Sequence, residues 1–163
     1  MGDSTTKTDG KQATRTLLEA EAAYREAWKA EQRASALAAV RRSLPGLERR
    51  VEEYRVELGE WEAWLAELEK MRSNFASEFA SLPDDTSSLT AQEEDRVRQR
   101  RKDLLDAVAA IEGDDPRGTL VDHLAVEGKP RIPGTRRRIE EARELLAKAE
   151  LELERARGQL ANA

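Results

Sequence analysis

From Leu47 to Leu82 an apolar residue returns at alternating steps of four and three: Leu47, Val51, Tyr54, Leu58, Trp61, Leu65, Leu68, Phe75, Phe79 and Leu82. An α-helix puts such positions on one face, whereas a strand needs a period of two, so this stretch has one compatible backbone. A repeat sustained over so many turns specifies a coiled-coil-like seam rather than a broad core-facing stripe. Arg72 is the single seam position out of pattern, with Met71 beside it. Gly59 lowers helix propensity by about 1 kcal/mol without shifting the register.

A second, smaller seam precedes it. Ala13, Ala20, Ala27 and Ala34 recur every seventh residue, with Leu17, Tyr24 and Ala38 interleaved and Glu31 interrupting the second set. Trp28 stands beside this stripe and widens it. The pattern predicts a helix from Lys11 to Ser43, broken at Pro45-Gly46, then a second helix from Leu47 to Ser81. A short break between long helices implies an antiparallel hairpin over 11–82, in which alanines face the bulky seam. Residues 1–10 are polar and are expected to form a disordered tail.

Beyond Leu82-Pro83-Asp84-Asp85 the spacing predicts a second hairpin over 83–163. Thr90 followed by Glu93 is a capping box, which opens a helix faced by Val97, Leu104 and Ile111. Gly113-Asp114-Asp115-Pro116 ends that helix, and Thr119 with Asp122 suggests a short helix around Leu124. The last helix carries Ile139, Ala142, Leu146, Ala149, Leu153, Ala156 and Leu160 at heptad spacing. All seven aromatic residues lie between Tyr24 and Phe79, so the C-terminal half must dock on the first hairpin or on another chain. The expected fold is all-α: two antiparallel coiled-coil-like hairpins, as a four-helix bundle or as a helical arm with a smaller helical base.

Composition supports that reading and narrows the chemistry. Charged residues make up 37% of the chain and aromatic residues 4%, a balance of exposed helices rather than of a compact α/β enzyme. Isoleucine occurs only as Ile111, Ile132 and Ile139, so a central sheet would lack its usual material. The absence of cysteine excludes disulfides and thiolate metal sites. No apolar run approaches the roughly 20 residues of a membrane span, and the polar start has no signal-peptide pattern. A cytoplasmic protein is expected, or one inside a virion if phage-encoded.

Basic runs supply the candidate sites. Arg136, Arg137 and Arg138 open the regular part of the last helix, where the macrodipole disfavours cations. In an antiparallel hairpin they would meet Glu112, Asp114 and Asp115, while Arg96, Arg98, Arg100, Arg101 and Lys102 would meet Glu150, Glu152 and Glu154. Alternatively, Lys129 and Arg131 join the three arginines in a proline-stiffened basic loop, with no acid between Gly128 and Ile139. Such a loop ahead of a helix can hold a phosphate or an acidic surface, but it lacks the glycine pattern of a P-loop. Arg41, Arg42, Arg49 and Arg50 flank Pro45-Gly46 and would make a cationic hairpin tip. No aromatic residue there could stack a base. Trp64, next to the seam, is the candidate contact with another chain, and His123 has neither a second histidine nor a cysteine with which to bind metal.

No catalytic constellation emerges, because abundant carboxylates are not a dyad without a pocket. The expectation is a non-enzymatic structural or adaptor protein without cofactor, metal or small-molecule substrate. It would bind copies of itself or a larger assembly through coiled-coil helices. Small acidic helical chains rich in alanine and arginine occur among bacteriophage scaffolding and connector components, an analogy of class alone. A nucleic-acid-associated protein gripping phosphate through the tip and loop is the alternative, as is a dedicated helical chaperone or inhibitor of one partner. The net charge of −5 speaks against broad nucleic-acid binding.

Overall fold

The computed structural model describes residues 4–113 and 129–163, with side chains from residue 10 onward. It is all-helical, at 89% helix and with no strand among the described residues. Helix α1 spans Ser4–Ser81, α2 spans Ala91–Glu112 and α3 spans Ile132–Ala161. Their contacts are compatible with a bundle or a helical arm. The chain divides into two compact units, Arg50–Ala149 and Met1–Arg49 with Glu150–Ala163.

In the unit Arg50–Ala149 all three helices contribute to one core. Leu68 of α1, Ile111 of α2 and Ile132 of α3 are buried together, and Trp64, Leu65, Met71 and Phe75 pack around them. The heptad faces are the buried faces: Leu104, Ala107, Ala110 and Ile111 on α2, and Ile139, Ala142 and Ala149 on α3. Alanine at these positions lets helix axes approach closely, while α1 supplies the bulk. Both shorter helices run antiparallel to α1. Arg100 pairs with Glu78 midway along α2, and Glu112 with Arg72 at its C-terminal end. On α3, Arg136 pairs with Glu69 and Arg143 with Glu62, seven residues further in one helix and seven back in the other.

Local chemistry sets the bounds of α2. Thr90 accepts the Glu93 backbone N–H while the Glu93 carboxylate accepts that of Thr90, completing the capping box. Gly113 closes the helix in the left-handed region at φ 85°, where its N–H reaches the Ala109 and Ala110 carbonyls. A Cβ on Gly113 would lie 3.6 Å from the Pro133 ring, so the end of α2 and the start of α3 are neighbours.

Three sequence expectations are corrected. Pro45-Gly46 is not a turn: α1 continues through it, so 11–82 is one helix and not a hairpin. An internal proline costs about 3 kcal/mol and glycine about 1 kcal/mol. Pro45 and Gly46 are exposed, however, and the opposite side carries the half-buried Leu37, Val40, Leu44 and Leu47 at unbroken helical spacing. Half-burial of four such side chains yields roughly 3–6 kcal/mol, enough to offset both residues. In the unit to which they belong, Arg157 of α3 also pairs with Glu48 at 3.2 Å.

Residues 4–10 are helical rather than a disordered tail, and 1–3 lie outside the described residues. Extending an existing helix needs no new nucleus, so polar residues join it at little cost. Helix α3 likewise begins at Ile132, inside the expected basic loop, which shortens to 129–131. Pro133 falls in the first turn, where its missing N–H would have had no helical partner anyway. The first i→i−4 bond runs from the Thr135 N–H to the Arg131 carbonyl at 2.8 Å. The expected short helix around Leu124, together with His123, Asp114 and Asp115, lies outside the described residues.

Candidate functional site

Trp64 and Lys129, distant in sequence, come together at the start of α3. The Lys129 Nζ stands 4.5 Å from the Trp64 ring centroid, and the indole Nε1–H donates to the Pro130 carbonyl at 2.9 Å. Thr135, fully buried, directs its hydroxyl at the Arg131 carbonyl at 2.8 Å and the Pro130 carbonyl at 3.2 Å. Gly134 permits the tight entry, since a Cβ there would be 3.0 Å from the Pro130 Cβ. Trp64 is therefore a fixed part of this junction.

An open groove of about 480 Å³ runs beside it, lined by Glu60, Trp61, Ala63, Trp64, Glu67 and Lys129. Among the described residues the lining offers carboxylates, an ammonium and indole faces but no hydroxyl, thiol or imidazole. A second groove, of about 340 Å³, is flanked by the Arg136–Glu69 and Arg143–Glu62 pairs. Among the described residues no buried side-chain polar atom lacks a hydrogen-bond partner, and no cluster of acids or histidine could hold a metal ion. No helix among them is long and apolar enough to cross a membrane. The Ser87 backbone N–H, then the Ser87 hydroxyl, hold the Asp85 carboxyl below its usual range. Its setting is the turn between α1 and α2.

Among the described residues the arginine run meets acids of α1 and α3, while Asp114 and Asp115, two of its three expected partners, lie outside them. Because α3 starts at Ile132, Arg136, Arg137 and Arg138 occupy its second turn, beyond the strongest part of the dipole. Arg136 meets Glu69 at 3.7 Å, and Arg138 lies 3.9 Å from Glu141 and 6.0 Å from the Trp61 ring centroid. Arg137 is exposed and Arg131 half-buried. Glu112, the third acid expected beside the run, pairs with Arg72, the residue that interrupts the α1 seam. On α2, Arg100 makes a two-bond contact with Glu78, Arg101 bonds the Pro83 carbonyl and Arg98 pairs with Glu94. Glu78 of α1 thus takes Arg100, for which an acid of α3 had been expected.

With no hairpin at Pro45-Gly46 there is no cationic tip. Arg41, Arg42, Arg49 and Arg50 lie exposed along about three turns of a continuous helix. At 100° per residue Arg42 and Arg49 share the side of Pro45, opposite Leu44 and Leu47.

One exposed stretch is the one the sequence assigned to a buried seam. Every residue from 10 to 36 is exposed, including Leu17 at 72%, Leu18 at 61%, Tyr24 at 71% and Trp28 at 53%. Within this stretch the ion pairs are local, Arg15–Glu19, Arg25–Glu21 and Lys29–Glu26. The heptad there marked an apolar face correctly, but its cover is not the rest of α1. Comparison with known protein families, curated proteins and solved structures finds no match to this chain.

Proposed function

We propose that this protein is a non-enzymatic structural or adaptor component that assembles with other polypeptide through its helices. The observation that carries the reading is the uncovered stretch of α1 from 10 to 36, with two leucines and two aromatic residues in solvent. At 1.5 Å per residue it extends about 40 Å. Isolated helices are only marginally stable in water, and their stability in proteins comes mainly from packing of an apolar face. Concentrated exposure of large apolar side chains marks interaction surfaces. By class analogy the setting is a multi-subunit assembly, bacterial or bacteriophage.

The nucleic-acid alternative loses weight because Arg136, Arg138, Arg143 and Arg100 already face carboxylates. A photoreactive residue at position 17, introduced in the native cell, tests the main reading. Adducts containing a second polypeptide are expected. If only nucleic-acid adducts or none form, and the purified chain binds DNA with an affinity that falls steeply with salt, the alternative replaces it.

A further inference from the structure

We propose that residues 13–38 of α1 pair with the same segment of a second copy of this chain, in antiparallel orientation. The inference rests on the assembly reading and names its partner.

The free face is distinct from the half-buried one: at 100° per residue Ala27, Ala34 and Ala38 lie on the side of Pro45, away from Val40, Leu44 and Leu47. Leu37, Val40, Leu44 and Leu47 are half-buried in the unit that also contains the end of α3, and exposure becomes complete on the N-terminal side of Leu37. Leu17, Tyr24, Trp28 and the heptad alanines form a second apolar side of α1 that is wholly exposed. A second copy of the same segment offers a helix of matching length and, when reversed, of complementary side-chain size.

Size selects the orientation. A parallel, in-register pair would set Tyr24 against Tyr24 and alanine against alanine, crowding some layers and leaving gaps in others. It would also set Glu31 against Glu31, two like charges on one seam. Reversing one copy about the midpoint between Arg25 and Glu26 places Leu17 opposite Ala34 and Tyr24 opposite Ala27. Glu31 then faces Ala20, and Ala13 faces Ala38. Each large residue meets a small one, and the glutamates separate. Positions flanking the seam include Ala23, Ala30 and Trp28, which extend the apolar contact.

Area is adequate. The exposed parts of Tyr24 and Trp28, at 71% and 53%, contribute about 400–600 Å² from two copies. Leu17, the alanines and the flanking stems bring eight such layers to the order of 1,200 Å², the lower range of stable specific interfaces.

Because the chain has no cysteine, single thiols report orientation cleanly. A13C and A38C full-length variants are mixed and oxidised, alongside each variant alone. Antiparallel pairing gives the 13–38 heterodisulfide in the mixture and no homodisulfide from A13C alone. A homodisulfide from A13C alone would establish parallel pairing and overturn the proposal. Light scattering should show a dimer, with L17E/Y24E raising the dissociation constant about 100-fold or more, because it buries unpaired charge. L145E, at an exposed leucine on α3, is expected to leave the dimer intact. A monomer at every concentration overturns self-pairing; adducts at position 17 to a different protein then preserve the assembly reading, and no protein adduct removes both.

Discussion

Thr135 shows how one residue sets the geometry of a junction. Its hydroxyl is fully buried and bonds the carbonyls that precede α3, while Trp64 bonds the Pro130 carbonyl from α1. Trp64→Phe keeps most of the apolar bulk but removes the indole donor and weakens the contact with Lys129. A loss of about 1–2 kcal/mol is expected, measured as a lower urea midpoint at unchanged slope. A tryptophan placed only for a partner in another chain would show no such loss. The sequence marked Trp64 as lying beside the seam, but its bond to a carbonyl 66 residues away carries no local signal.

Elements were legible where their determinants lie within a turn or two. The capping box at Thr90 and the left-handed Gly113 bound α2 as the sequence indicated, and the α3 heptad from Ile139 to Leu160 is the face turned inward. Pro45-Gly46 misled because punctuation residues report a local cost, whereas a helix survives when packing on its opposite side exceeds that cost. Pro45→Ala is therefore expected to raise stability by about 2–3 kcal/mol and to preserve helix content in circular dichroism, since it removes a helix-interior proline. A chain that turned at Pro45 would gain nothing and would lose its reversal. Pro133-Gly134 misled in the same way, because proline in a first turn starts a helix as readily as it ends one.

At the scale of the whole molecule, burial is unevenly distributed along the chain. Leu104, Ala110 and Ile111 are almost wholly buried, whereas every residue from 10 to 36 is exposed. In dilute protein, amides of 10–36 are expected to exchange with solvent several orders of magnitude faster than those of 104–111, which open only with the core. Raising the concentration should slow the first group alone, as a second copy covers it. Protection of 10–36 in a dilute monomer would contradict the exposed helix. By itself the sequence determined helical content, the caps of α2 and the faces that had to be apolar, because these depend on neighbours within a few residues. Tertiary structure alone decided which face meets which: that α1 is one helix, and that its Glu62, Glu69 and Glu78 take Arg143, Arg136 and Arg100. A heptad identifies a face without naming its partner, and exposed ion pairs worth about 0–1 kcal/mol each cannot choose one helix over another. That choice fell to the shared burial of Leu68, Ile111 and Ile132, which only the packed helices bring together.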